Sequence, residues 1–317
     1  ETGIAFNNRV EDSSIVNVYF YLNAYNGGGV AIGDINNDRL PDIYFTGNLE
    51  KNKLYLNKGN LRFEDITETA GVATGDDWCT GVTMADVNGD GFLDIYVCRA
   101  LHSDPAMRAN LLYINNGNLS FTERGKEYGV ADESFSTQAT FFDYDLDGDL
   151  DLFVGNHPQR PSLDHDESYR HFTNPTFELS DHLYRNNGNG TFSDVTLEAG
   201  ILDYGVTLGV IAGDINQDGW PDLYIAKDQQ EPDILFLNQR DGTFRNVIHE
   251  AVKHTCDSSM GIDLADFNND GLLDIVVADM MPEGNYRQKT QLSVMDPRKF
   301  WTRVSHGYHY QYTRNVL

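Results

Sequence analysis

The chain is poor in cysteine, in basic residues and in long apolar runs, and each shortage excludes something. Three cysteines among 317 residues, Cys79, Cys98 and Cys256, do not make a disulfide framework. Cys79 and Cys98 flank one acidic loop and would suit a bridge between adjacent strands. Two free buried thiols are the preferred reading, because Cys packs well as a small apolar residue. Only 23 Lys and Arg stand against 49 Asp and Glu, a formal net charge of −26. That balance argues against nucleic acid or an anionic membrane surface as partner. No run of about 18 apolar residues occurs, so no membrane-spanning helix is expected. The chain opens at Glu1 without a signal-type segment, as a processed or trimmed chain would. Nucleophile elbow, P-loop and HExxH motifs are also missing.

What the chain has instead is one acidic pattern, repeated five times. In Asp86-Val87-Asn88-Gly89-Asp90-Gly91-Phe92-Leu93-Asp94, oxygen-bearing side chains fall at positions 1, 3, 5 and 9 and Gly at position 6. The others run Asp34, Asn36, Asp38 to Asp42; Asp143, Asp145, Asp147 to Asp151; Asp214, Asn216, Asp218 to Asp222; and Asp266, Asn268, Asp270 to Asp274. Short oxygen side chains at alternate positions of a tight loop suit Ca²⁺, which takes about six to eight oxygens. Gly at position 6 permits the left-handed backbone of a sharp turn. Arg39 replaces that Gly in the first loop, which makes it the weakest of the set. Solvated Asp-Gly turns are the plain alternative, but five copies with one internal spacing point to about five structural Ca²⁺ ions. Five such ions would reduce the formal charge from −26 to −16.

The loops begin 52, 57, 71 and 52 residues apart, the period of a repeat architecture. Short apolar runs precede each loop (81–84 before Asp86) and follow it (95–97 after Asp94). Third and fourth strands are expected at 54–57, 112–115, 183–186 and 235–238, and at 63–66, 121–123, 192–195 and 244–247. Four antiparallel strands per unit predict an all-β fold, a β-propeller of four-stranded blades with the acidic loops between strands 1 and 2. A solenoid is the alternative, though its units are usually shorter. Tyr312 to Leu317 reads as the start of a third strand in the fifth unit, as in Tyr184-Arg185-Asn186. Residues 1–317 are therefore expected to form a single propeller domain that is C-terminally incomplete, about five blades of seven, with loops at 34–42, 86–94, 143–151, 214–222 and 266–274.

The order strand, D-x-N-x-D-G-x-x-D, strand resembles the FG-GAP/VCBS repeats of integrin α-chain propellers. Tyr25-Asn26-Gly27-Gly28-Gly29, Asp42-Ile43-Tyr44-Phe45-Thr46-Gly47-Asn48 and Leu54-Tyr55-Leu56-Asn57 are similar to segments of secreted proteins related to cartilage acidic protein. Bacterial members of that group are often surface lipoproteins with a C-terminal ASPIC/UnbV segment. The resemblance implies an extracellular or outer-membrane surface location, a lipid anchor supplied by an N-terminus outside this chain, and docking to an uptake or adhesion complex. Weak calcium loops of this kind work where calcium is near millimolar, which also favours an extracellular setting. Asn118-Leu119-Ser120 and Asn189-Gly190-Thr191 match the N-glycosylation sequon but lie in expected hairpin turns.

In related propellers the calcium loops lie on one face and the links between strands 2 and 3 on the other. Here those links are long at 99–109, 156–181 and 280–311, and long loops in compact domains are often functional. His157, Arg160, Tyr169, His171, Tyr286, Arg287, Trp301, His306 and Tyr308 are the candidate ligand-binding residues, for a glycan or a protein. The plain alternative is that these insertions only pack over the blades. His157, His165 and His171 match no tight metal spacing. A polysaccharide lyase or hydrolase is the competing reading, with Asp164, Asp166, Glu167 and Glu178 as acid–base candidates. With no catalytic constellation in the sequence, a non-enzymatic binding or scaffold module is preferred.

Overall fold

A computed structural model of the chain describes residues 2–13, 16–17, 21, 23–75, 77–159, 165–228, 230–281, 284–290 and 296–316. Each acidic loop closes a hairpin. Gly33 pairs with Asp42, Ala85 with Asp94, Gly213 with Asp222 and Ala265 with Asp274. The residue before position 1 thus faces position 9, and the loop is the whole connection between the two strands.

Four sheets have four strands each, in sequential order. The first holds β1 (Val30–Gly33), β2 (Asp42–Phe45), β3 (Lys53–Asn57) and β4 (Phe63–Asp65). The second holds β5 (Trp78–Ala85), β6 (Asp94–Ala100), β7 (Leu111–Asn115) and β8 (Phe121–Glu123). The third holds β9 (Phe135–Phe142), β10 (Asp151–His157), β11 (His182–Asn186) and β12 (Phe192–Asp194). The fourth holds β13 (Val206–Gly213), β14 (Asp222–Asp228), β15 (Ile234–Asn238) and β16 (Phe244–Asn246). Two small sheets follow: β17 (Thr255–Cys256) pairs in parallel with β20 (Gln311–Tyr312), and β18 (Ser259–Ala265) pairs antiparallel with β19 (Asp274–Asp279). Four-stranded antiparallel sheets in sequence order are the blades of a β-propeller, the fold class expected.

Seven short helices connect these strands among the described residues: α1 (Thr67–Ala70), α2 (Pro105–Arg108), α3 (Gly125–Tyr128), α4 (His165–Thr173), α5 (Ile248–Ala251), α6 (Asn285–Thr290) and α7 (Pro297–Ser305). α1, α3 and α5 are single turns that lead from one sheet to the next. α1 and α3 end on Gly71 and Gly129 at φ 75° and 80°, a left-handed C-terminal position that glycine fills without a Cβ clash. α2, α4, α6 and α7 lie in the long links between second and third strands, so the insertions expected as loops are partly helical. Asp104 and Asp296 cap α2 and α7, each with Pro following, a start signal present in the sequence.

The described residues divide into two compact units: residues 1–141, 148–154 and 184–194, and residues 142–147, 155–183 and 195–317. In the first unit, β6 shows why its apolar run does not alternate with polar residues. Ile95 and Val97 join a cluster with Tyr44, Leu54 and Tyr113, while Tyr96 and Cys98 join another with Leu112, Leu152 and Tyr184. Both faces are buried, as all seven residues of β6 are, and each large apolar side chain so buried contributes about 1.5–3 kcal/mol. In the second unit Tyr224, Leu235, Ile248, Cys256 and Val277 form a cluster of the same kind.

Cys79, Cys98 and Cys256 are all free and buried. Cys79 and Cys98 belong to different clusters, so the alternative of a bridge between them is not realised. Burial pushes the Cys79 thiol up to about 12, which leaves it inert as a nucleophile.

The chain end corrects one expectation. Tyr312 lies in β20, parallel to β17, and does not begin a third strand of the fifth unit. The strand contact to β19 is made by Val316, which bridges Val277. Asn315 accepts the Asp279 N–H through Oδ1 at 2.9 Å. In the earlier sheets Asn52 and Asn110 receive the same bond just before the third strand starts. Asn315 therefore matches Asn52, and the comparison with Asn186 at a strand's end was out of register.

Candidate metal loops and the insertions at the other strand ends

The loops are built by their own side chains. Asp86 Oδ1 accepts from Asp90 N at 3.1 Å and Oδ2 from Gly91 N at 2.8 Å, while Asn88 Oδ1 also accepts from Asp90 N at 3.0 Å. Asp90 Oδ1 then accepts from Phe92 N at 2.9 Å. The same bonds recur from Asp34, Asn36 and Asp38, from Asp214, Asn216 and Asp218, and from Asp266, Asn268 and Asp270. Asp147 N donates to Asp143 Oδ1 at 3.1 Å in the third loop. Positions 4 and 6 both take positive φ. At position 6, Arg39 (69°) adopts the conformation that Gly91 (88°), Gly148 (97°), Gly219 (87°) and Gly271 (85°) adopt. Its N–H reaches Asp34 Oδ2 at 2.6 Å. The first loop thus keeps the repeat's geometry against the steric cost of a side chain in the left-handed region.

Position 9 does a different job from positions 1, 3 and 5. Asp42, Asp94, Asp151 and Asp222 are buried. In the second loop Asp94 Oδ2 accepts from Val87 N at 3.0 Å, and Oδ1 accepts from Asn115 N at 2.7 Å on the third strand. Asp42 and Asp222 make the matching pairs of bonds, and Asp274 accepts from Phe267 N. Burial pushes Asp94 up to about 6, with the nearby charges of Asp90 and Asp86 adding to the rise. Asp42 and Asp222 shift the same way for the same first reason.

The donor set fits a hard dication. In the nine-residue third loop, side-chain oxygens of Asp143, Asp145 and Asp151 lie within 4.8 Å of one another. Oxygen is the only donor type the side chains at positions 1, 3, 5 and 9 offer apart from the Asn amides, and mutually repelling carboxylates at one place are what Ca²⁺ relieves. The residues that would hold it are those at positions 1, 3, 5 and 9 of each loop. Bound there, the ion would supply charge neutralisation and loop rigidity.

Sequence reasoning missed the side chains that tie the loops into the sheets. The last residue of each third strand is Asn57, Asn115, Asn186 or Asn238. Asn115 Nδ2 donates to Leu93 O at 3.1 Å in its own loop and to Ile35 O at 2.8 Å in the preceding one, and its Oδ1 accepts from Gly117 N at 2.9 Å. Asn186 bonds Leu150 O and Val87 O, and Asn238 bonds Pro221 O and Tyr144 O. The signal was in plain view as the recurring L-Y-x-N and L-F-L-N, but a strand-end Asn reads as an ordinary turn residue.

At the other ends of the strands a second clasp recurs. Asn52, Asn110, Asp181, Asp233 and Asn315 accept the N–H of Gly47, Arg99, Asn156, Lys227 and Asp279 at 2.7–2.9 Å. Tyr44, Tyr96 and Tyr224 add hydroxyl bonds to Asn52, Asn110 and Asp233. The second unit departs from this pattern by burying a charge. Lys227 Nζ donates to Asp181 at 3.0 Å, to Thr207 Oγ1 at 2.6 Å and to Asp203. Burial opposes its charge, but the two carboxylates outweigh it and raise Lys227 above the usual lysine range. Burial and the Asp203 charge raise Asp181.

The structure gathers part of the predicted ligand set. Tyr169 on α4 stacks on His306 at 4.5 Å, and Phe172 stacks on Tyr308 at 4.5 Å, so links 156–181 and 280–311 meet. His171 stacks on the buried Tyr204. Tyr308 is itself buried. His157 is buried too, with its Nδ1 on Pro158 O at 2.8 Å, and burial pushes it down to about 4. It is thereby kept off any open ligand surface. Tyr286 and Arg287 stand exposed on α6, and Trp301 on α7 is 61% exposed. Arg160 and Asp164 lie outside the described residues, as does the side chain of His165. Asp166, Glu167 and Glu178 are exposed.

Sheets of this form, each opened by an Asp-rich hairpin loop, define a β-propeller-type repeat protein. The chain belongs to the FG-GAP-like repeat family, which it matches over residues 34–97, 174–225 and 214–277. It is 32% identical over 141 residues to cartilage acidic protein 1 of Xenopus tropicalis, covering 43% of this chain and 20% of that protein. Against cartilage acidic protein 1 of Mus musculus it is 34% identical over 108 residues, 34% of this chain and 16% of that one. The matches thus span no more than a fifth of these relatives. Among solved structures, one described as the basis of specific recognition of non-reducing terminal N-acetylglucosamine by an Agrocybe aegerita lectin aligns with a TM-score of 0.46 at 18% identity, over 82% of this chain and 63% of that one. The V. cholerae biofilm matrix protein Bap1 aligns at 0.41 and 14%, over 80% and 35%. At these TM-scores neither likeness bears on fold or ligand.

Proposed function

We propose that the chain is an extracellular, calcium-stabilised binding module that recognises a glycan or a protein through the insertions between second and third strands. The observation that carries this reading is the meeting of two insertions through Tyr169, His306, Phe172 and Tyr308, a packed aromatic base that both insertions share. Rigid aromatic groups on such a base suit both sugar faces and protein hot spots. The acidic loops belong to the other strand ends, where about five Ca²⁺ would serve structure. Calcium loops of this strength work near millimolar calcium, which supports an extracellular or cell-surface setting, with an uptake or adhesion complex as the larger assembly. Binding without turnover is favoured because Asp166, Glu167 and Glu178, the acid–base candidates described, are exposed to solvent, whereas catalytic groups gain most from a water-excluded site.

A glycan array and a panel of cell-surface proteins, both probed in millimolar calcium, test this reading. Saturable binding to a restricted set of glycans or to a defined protein is expected. Silence in both arms would remove the reading. Turnover of a bound polysaccharide, lost in Glu178→Gln, would replace it with a degrading enzyme.

A further inference from the structure

We propose that three histidines of the second unit, His249, His254 and His309, form an acid-released clasp that fastens segment 308–316, and with it the end of the 280–311 insertion, to segment 249–257. The join itself is short. β17 and β20 pair only through Thr255 with Gln311 and Cys256 with Tyr312. Thr255 N donates to Tyr310 O at 2.9 Å and Asp257 N to Tyr312 O at 3.1 Å. Histidine side chains add contacts at both ends of it. His309, just before β20, is 7% exposed. Its Nε2–H donates to Val252 O at 3.0 Å, and its ring meets that of His249 on α5 edge to face at 4.6 Å. His254, just before β17, packs edge-on against Tyr312 at 5.2 Å. Its Nε2 accepts from Arg314 Nη2, and the Arg314 guanidinium lies over the Tyr312 ring at 5.5 Å.

These contacts suit neutral imidazoles. A guanidinium only donates, so His254 Nε2 carries no proton while Arg314 binds it. Protonation there breaks the bond and sets two cations side by side, a repulsion that grows as water is excluded. His309 would carry its charge buried and against the His249 ring. The surrounding charged groups do not relieve this. Glu250 is turned to Arg245 at 2.7 Å, and Asp257 to Arg303 at 2.6 Å. Asp279 accepts from Asp257 N and Ser258 N. Glu231 meets the segment through its backbone carbonyl, which takes Gln311 Nε2 at 3.0 Å, and its carboxylate binds Ser168. Lys253 and Arg314 stand exposed and add positive charge.

The direction of the pH effect follows. Burial first, then the charges of His249 and His254, hold His309 below the ordinary histidine range. A histidine freed into water takes its proton near about 6.5. The open form thus binds protons that the joined form does not, and the join weakens as pH falls below about 6.5. Asp257 works in the opposite sense. Burial pushes it up to about 6, so its protonation removes a cost on acidification. Overall stability therefore mixes the two, and the clasp shows itself in local opening and in histidine variants.

The test is hydrogen exchange read by mass spectrometry on the full chain in millimolar calcium, at pH 7.5 and at pH 5.0, corrected for the intrinsic pH dependence of exchange. Protection over 250–257 and 308–316 should fall about tenfold or more at pH 5.0, while β14 of the same unit keeps its protection. His249→Gln and His254→Gln each remove one titrating ring, and each should shrink that loss at least about threefold. His249 is exposed and His254 half-buried, so neither variant empties the core. Each variant is compared with itself at the two pH values, so a general loosening does not imitate the effect. Undiminished protection of the join at pH 5.0, an equal loss in β14, or the full wild-type loss in both variants would overturn the proposal. The outcome does not depend on whether the insertion binds a glycan or a protein.

Discussion

Asn115 shows what one side chain does for a blade. Its amide joins two acidic loops and closes its own turn. Asn115→Ala would leave the Ile35 and Leu93 carbonyls and the Gly117 N–H without their partner. At about 1–3 kcal/mol for each unmet buried group, partly offset by relaxation, a loss of about 2–4 kcal/mol is expected in urea unfolding. The exposed neighbour variant Asn116→Ala should stay within about 0.5 kcal/mol of wild type; equal behaviour of the two would contradict the clasp. His157 gives a pH-dependent counterpart. Burial holds it at about 4, against about 6.5 unfolded. Between those values the unfolded chain takes the proton and the folded chain does not, so stability falls as pH drops from about 6.5 to about 4. The component reaches about 3 kcal/mol. His157→Gln should lack it, and parallel pH curves for the two proteins would refute the assignment. Neither residue's task was legible in sequence. Asn at a strand end and His in a long link look the same whether they face water or the core.

Elements were easier to read than residues. The first and second strands of every unit were legible because they flank a motif of fixed length, and the third and fourth because L-Y-x-N and a following Phe repeat with them. The helices inside the insertions were not, since α2 and α6 are only 4 and 6 residues long, too short for periodicity to register. Nor was the exchange of a Tyr-centred clasp for a buried cation at the far end of the strands. Phe153 stands where Tyr44, Tyr96 and Tyr224 stand in other sheets, and Asp181 stands where two sheets have Asn. Lys227 then compensates Asp181 and Asp203. Lys227→Met should cost about 3–5 kcal/mol, because it strands two buried carboxylates. Adding Asp181→Asn and Asp203→Asn should recover most of that loss. A single Lys227→Met variant as stable as wild type would show that the cation contributes nothing net.

At the scale of the molecule, the charge of −26 and the five acidic loops belong together. Three or four carboxyl-bearing positions per loop repel one another, and position 9 is buried in four of the five. A cation bound in each loop, as proposed, would offset that charge. A site held at about 100-fold its dissociation constant adds about 2.7 kcal/mol. About 1 kcal/mol moves the melting temperature by roughly 2–4 °C for chains of 150–250 residues. Several sites acting together should thus be visible at once in thermal unfolding. The proposed recognition surface is a separate matter from this scaffold, and its aromatic base was only half legible: sequence supplied the residues, but the stacking of Tyr169 on His306 joins positions 137 residues apart. The most direct test of the account is the melting temperature of the chain in millimolar calcium and after complete chelation, with magnesium present in both. A fall of about 10 °C or more on chelation, reversed by calcium and not by magnesium, is the predicted result; an unchanged melting temperature would contradict it.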